Sequence, residues 1–274
     1  MNYDSFKRIG LFLVSQKITN SLLVIIAAAN LILYFNLFGS DKIEVQFDDK
    51  LYISQNWGSL HFTQSISIKN TGAKIGHIDR IKALIRSKDS DQKKFIRQLV
   101  AEQYYDDNSK MYRPLLQFGL NPTESFYSMI DFSNPLGRFE DDSIGIYTNR
   151  IIDEVELAKK KGGVKNATVG EISKKNGRQI TSFITKGFSD FRQGEYEFLI
   201  QLYKDDETTP FETKCYSFTI YEANKQSLME SIKPYTEFDF YNNVNSVLNR
   251  PSISVKLTEI NGRQVIESLS KEIH

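Results

Sequence analysis

Glu195–Tyr221 reads EYEFLIQLYKDDETTPFETKCYSFTIY, and its alternation sets the class of the fold. Tyr196, Phe198, Ile200 and Leu202 fall on one side at period two, against Glu195, Glu197, Leu199 and Gln201 on the other. Successive side chains of an extended chain point to opposite faces, so this run predicts a half-buried strand. Lys204-Asp205-Asp206-Glu207 with Thr208-Thr209-Pro210 supplies a polar loop. Cys215, Ser217, Thr219 and Tyr221 then alternate with Tyr216, Phe218 and Ile220. Two alternating runs across a polar loop predict a β-hairpin.

The same texture extends outward. Leu60, Phe62, Ile66 and Ile68 predict a strand, and Asn70-Thr71-Gly72 closes it with turn chemistry. His77–Arg86 continues with Ile78, Ile81, Ala83 and Ile85, as a strand or a short helix. Phe118–Phe132 is strand-like after the turn at Pro122, and Ser252–Leu257 is a further short strand behind Pro251. Two stretches read as helices. In Asp91–Tyr105, Phe95, Leu99 and Val100 recur near 3.6 spacing. In Asn149–Lys161, Ile151, Ile152, Val155 and Ala158 share a face, acids come early and lysines late, and Gly162-Gly163 ends the run.

SISIKNTGAKIGHIDRIKALI (residues 65–85) resembles an early strand–turn–strand of immunoglobulin-like sandwiches. FRQGEYEFLIQLYK with CYSFTIYE resembles their closing hairpin. The resemblance is to single-pass, membrane-anchored cell-envelope proteins that carry such a domain. It implies an antiparallel Ig-like β-sandwich with two helical insertions and a tendency to bind proteins. The antibody-type disulfide-and-tryptophan core is absent, because Cys215 and Trp57 are the single Cys and Trp of the chain.

Thr19–Gly39, TNSLLVIIAAANLILYFNLFG, carries no charge. A helix of that length spans about 30 Å, the thickness of a hydrocarbon core. The stretch predicts a transmembrane signal-anchor helix over 19–39, after a short N-terminal tail over 1–18 and before an extramembrane β-sandwich domain over 41–274. Lys7, Arg8 and Lys17 ahead of it predict a cytoplasmic N-terminus and an extracytoplasmic 41–274. Asn30 lies near the middle with Ala27 three residues earlier. The pair is a candidate for helix association, the alternative being an amide tolerated at modest cost.

The chemistry is sparse. Net charge is +1, from 35 Lys and Arg against 34 Asp and Glu, which argues against a nucleic-acid partner. One cysteine excludes an internal disulfide and multi-cysteine metal sites. No phosphate-cradling loop, nucleophile elbow or zinc-protease helix occurs. Cys215 with His61 or His77 is a conceivable thiol nucleophile, and Glu140–Gly145 the nearest approach to a calcium loop. The acidic pairs Asp89/Asp91 and Asp106-Asp107 complete the inventory. No catalytic, metal-binding or cofactor-binding residue stands out. The expected function is therefore non-enzymatic: an interaction or accessory subunit at the envelope, in contact with the bilayer. It would bind another membrane or envelope protein, or itself, through its β-domain. The alternatives are a ligand-sensing domain and an envelope-polymer hydrolase working through two carboxylates.

Overall fold

The structure is a computed structural model and describes residues 20–21, 23–32, 39–89, 95–134, 137–162, 173–204, 207–236, 252–262 and 265. The chain divides into two compact units. One comprises Met1–Glu44, Lys69–Gly76 and Gly119–Ser125; the other comprises Val45–Ile68, His77–Phe118 and Phe126–His274.

In the first unit, residues 20–21 and 23–32 are helical (α1), with exposed side chains. Among the described residues no helix is long and apolar enough to cross a membrane. That corrects the expectation of a single-pass transmembrane anchor over 19–39. The placement of 1–18 and 41–274 on opposite sides of a membrane loses its basis with it. Residues 19, 22 and 33–38 of that stretch, and all of 1–18, lie outside the described residues.

The same unit is knotted by the fully buried Asn70. Its Nδ2 donates to the carbonyls of Lys74 (2.7 Å) and Leu120 (2.8 Å). Its Oδ1 accepts from Gly72 N–H, the Asx turn that the sequence announces. Its backbone N–H donates to Glu124 O, and its carbonyl accepts from Thr123 N–H. Lys42 passes so close that a Cβ on Gly72 would stand 2.3 Å from its backbone nitrogen, so only glycine fits there.

The second unit holds most of one sheet. Its strands run β11 (Ser252–Lys256), β1 (Ile43–Asn56), β2 (Ser59–Asn70), β8 (Ser125–Ser133), β5 (Ile96–Asp106), β4 (Arg80–Ser87), β9 (Gly194–Tyr203), β10 (Glu212–Ile220), β12 (Thr258–Glu259). β6 (Met111–Pro114) pairs with β5 off that path, and β3 (Gly76–Ile78) and β7 (Phe118–Leu120) form a separate two-stranded ribbon. The hairpin read at 195–221 is β9–β10, in register from Gly194↔Ile220 to Leu202↔Glu212.

The two ends of the strand order meet in one stretch of chain. β11 pairs antiparallel with β1, and two residues later β12 pairs antiparallel with β10. Leu257 sits between them; its N–H donates to Asp49 O at 2.7 Å, while Ile260 N–H donates to Cys215 O at 2.9 Å. The sheet is thus nearly closed and barrel-like. This corrects the expected Ig-like β-sandwich: two alternating faces do not require two sheets when one strand can bridge both edges.

Inward-facing positions share register. Ile85↔Phe198↔Tyr216 and Ala83↔Ile200 line up across β4, β9 and β10. Tyr196 stacks on Phe218 with centroids 5.4 Å apart, and Phe132 meets Phe198 edge-on at 5.9 Å. Phe62, Phe95 and Phe191 complete the aromatic core. Burial pushes the Tyr196 hydroxyl up to about 12, and it both accepts from Arg192 N–H and donates to Arg192 O.

The described part of Asp91–Tyr105 is not helical. From Ile96 onward it is β5, with Leu99 and Ala101 buried and Val100, on which the helical spacing relied, 37% exposed. Period two wins because the residues pair on both sides, with β4 and β8. Helix α2 spans Arg138–Gly162, enclosing the expected Asn149–Lys161. Helices α3 (Lys174–Gly187), α4 (Glu222–Glu230) and α5 (Lys233–Thr236) are additional. Among the described residues there are therefore more helices than the two expected insertions; one of those two is found, inside α2, and the described part of the other is a strand.

Phe198→Ala should destabilise the folded chain by about 3–5 kcal/mol, read as a lower urea midpoint with unchanged slope. Asn70→Ala should cost about 1–3 kcal/mol through carbonyls left without donors. Unchanged midpoints would contradict the assigned core and knot.

Candidate functional site

The residues that sequence chemistry singles out are not brought together. Cys215 lies on β10 and His61 on β2, with β8, β5, β4 and β9 between them in strand order on one side, and β1 and the closing strand on the other. Cys215 packs instead with Leu199 and Val265, beside Leu84 and Ile260. Burial, then the Glu197 carboxylate, pushes its thiol up to about 11, so it is protonated and unreactive at neutral pH. His61 Nδ1 meets Asp131 Oδ2 at 2.8 Å, and Thr63 Oγ1 donates to Asp131 Oδ1 at 3.4 Å. This half-buried polar triplet contains no thiol. Arg86 Nε and Glu197 Oε2, 2.5 Å apart, form a second half-buried pair on β4 and β9.

The acidic clusters are likewise absorbed. Glu140–Gly145 lies inside α2, where successive backbone positions turn through about 100° and cannot wrap a cation as a loop does. Asp106 accepts from Ser109 Oγ (2.9 Å), Asn108 N–H (3.0 Å) and Arg113 Nε (2.8 Å). Those bonds, the Ser109 hydroxyl first, hold its carboxyl below the usual range. Asp107 faces Lys110. Asp91 lies outside the described residues. Among the described residues no group of three His, Cys, Asp or Glu side chains could hold a metal ion. Ala27 and Asn30 both fall on α1, three residues apart and exposed. His77 is exposed on β3.

What the fold does gather is aromatic. β5 shifts register between Ala101 and Gln103, and beyond that shift it pairs with β8 on one side and β6 on the other. The β5–β6 hairpin puts Tyr105 opposite Tyr112, with ring centroids 5.4 Å apart. Phe126 at the start of β8 meets Tyr104 edge-on at 5.7 Å and Phe118 at 4.8 Å. Met111 (64% exposed), Leu116 (74%) and Tyr127 (68%) are exposed on the same segments, and alternation puts Tyr127 on the face of Tyr105 and Tyr112. The nearby charges are already paired, Arg113 with Asp106 and Lys110 with Asp107. The hairpin turn exists because Asp106 caps it and Lys110 accepts a left-handed backbone, φ 55°. The sequence carries the rings openly, as YY at 104–105, MY at 111–112 and FY at 126–127. Their meeting depends on how β5 pairs with β6 on one side and β8 on the other.

Cys215 should resist iodoacetamide in the folded protein at pH 8 and react fully in guanidinium; rapid labelling of the native protein would contradict its burial. No protein-family model and no curated protein matches the chain.

Proposed function

We propose that this chain is a non-catalytic binding protein that docks a protein partner on the flank built by β5, β6 and the start of β8. The observation that carries the reading is the paired half-buried rings of Tyr105 and Tyr112 with exposed Tyr127 on the same sheet face by alternation, backed on the other face by Phe126 meeting Tyr104 and Phe118. A contiguous exposed apolar patch marks an interaction site more often than chance. Tyrosine, phenylalanine and methionine are the side chains enriched at the cores of protein interfaces.

The chemistry favours a polypeptide over the other surfaces. Nucleic acid requires a basic excess, and the cations here are spent on Asp106 and Asp107. Tyrosine hydroxyls need hydrogen-bonding partners, which a protein surface and trapped water supply. β6 is four residues long and ends in Pro114, so it is a poor template for open-ended strand addition. The side chains carry the recognition, and the rim pairs set its orientation.

A photo-crosslinking residue in place of Tyr127 should yield one discrete adduct in the cells that make this protein, and the same residue in place of Glu156, on α2, should yield none. The identified partner should then bind the Tyr112→Ser/Tyr127→Ser variant at least about tenfold more weakly, a loss of roughly 1.4 kcal/mol or more. A second copy of this chain as the adduct would define the partner as itself. No adduct at Tyr127, or equal affinity of the double variant, would overturn the reading.

A further inference from the structure

A second feature lies away from that flank, where β1 turns into β2. Trp57 (φ 50°) and Gly58 (φ 87°) form the two-residue turn, both in the left-handed region. That geometry matches the twist of a hairpin, but it is unusual for a residue as bulky as tryptophan. The surroundings over-determine it. Trp57 N–H donates to Tyr235 Oη, and its ring meets the Tyr235 ring edge-on at 5.0 Å. Gly58 N–H donates to Gln55 Oε1, whose amide in turn donates to Ser231. The end of α3 lies directly on the turn: a Cβ on Gly187 would sit 2.5 Å from Gly58 O. Strained backbone held this firmly is characteristic of binding sites.

Beside the turn is a cleft of about 290 Å³. Its apolar walls are Trp57, Phe183 and Phe139, the last 77% exposed on the first turn of α2. Arg97, Lys186 and Glu140 supply the charge. Arg97 is aimed by its neighbours: its guanidinium lies 5.4 Å over the Phe95 ring and donates to Gly187 O at 3.5 Å. Among the described residues neither Arg97 nor Lys186 forms an ion pair. The two cations against one carboxylate leave +1. The helix ends cancel, since the start of α2 contributes about +0.5 and the end of α3 about −0.5. Aromatic walls, a single net positive charge and a volume near the lower bound for small-molecule sites specify the occupant.

We infer that this cleft binds a small, flat, apolar molecule carrying one anionic group, an aromatic carboxylate or sulfonate. The ring lies among Trp57, Phe139 and Phe183, and the anion is held by Arg97 and Lys186. Binding here requires no partner on the β5–β6 flank.

Trp57 is the single tryptophan of the chain, so its emission reports on the cleft directly. The probe is 8-anilinonaphthalene-1-sulfonate, with neutral N-phenyl-1-naphthylamine as its uncharged counterpart. The full-length chain should bind the sulfonate saturably and one-to-one, with quenching of Trp57 and energy transfer to the dye. Arg97→Gln and Lys186→Gln should each weaken the sulfonate by about tenfold and leave the neutral dye unchanged. Phe139→Ala, at an exposed position, should weaken both dyes. Near-ultraviolet circular dichroism and the urea midpoint verify that each variant folds; if Arg97→Gln does not, Lys186→Gln decides. Non-saturable binding, no transfer from Trp57, or folded charge variants that bind the sulfonate as the parent does would overturn the inference.

Discussion

Closure of the sheet at Leu257 is the constraint on which the rest of the second unit depends. A single stretch, Ser252–Glu259, completes the ladder of β1 and then that of β10, changing partner across one residue. An antiparallel sheet left open would present two edges and an apolar inner face to water. With the strand in place, Ile253, Val255 and Leu257 are buried, and the aromatic core formed by Tyr196, Phe198 and Phe218 is enclosed. The same stretch covers the outer side of β10, where Ile260 and Val265 shield Cys215 and raise its thiol. The inertness of the cysteine is thus a consequence of how the sheet closes.

Closure also explains where binding chemistry can stand. Both faces of β9 are buried from Tyr196 to Ile200, so its middle offers nothing to a ligand. Exposed aromatic groups stand instead where strands turn or outrun their neighbours. The end of β5, where it pairs with β6 and β8, puts Tyr104 and Tyr105 at one such place. The Trp57-Gly58 turn is another, framed by α3 lying on Gly58 and by Phe139 at the start of α2. α2 and α3 are held to one another by Glu154, which accepts from Ser173 and Asn176, and by Arg150 donating to Gln179. Partial burial pushes the Glu154 carboxyl up, and the hydrogen bonds from Ser173 and Asn176 outweigh it and hold the group low. A carboxylate ionised throughout the neutral range is therefore built into the frame of the cleft.

The strands were legible because period two survives in any half-buried sheet. Leu60–Ile68 lies within β2, the hairpin read over Glu195–Tyr221 is β9–β10 ending at Ile220, Ser252–Leu257 is β11 as far as Lys256, and Asn70-Thr71-Gly72 is the turn its residue types specify. The helix read over Asp91–Tyr105 failed because Phe95 and Leu99 fit both periods, and tertiary pairing chose the one that leaves Val100 exposed. α3 was missed although it carries local signals: Ser173 as its N-cap and Ile180 and Ile184 four apart on its buried face. The anchor read from uncharged residues at 19–39 rested on length and apolarity, and no helix among the described residues is long and apolar enough for it.

The sequence by itself determined a mainly β chain stabilised by apolar burial without staples, with near-neutral charge and no assembled catalytic motif. It also supplied each aromatic of the flank and the cleft. The tertiary structure alone decided that the strands close into one barrel-like sheet rather than two layers. It alone decided that Tyr105 meets Tyr112, and that Trp57, Arg97, Phe139 and Lys186 surround one space. The physical reason is that alternation encodes which face of a strand is buried, a local property. Which edge pairs with which, and where a register shift falls, is set by contacts between residues far apart in the chain. Leu257 is the clearest instance: nothing in its neighbours specifies two partner strands, yet its position joins β1 to β10.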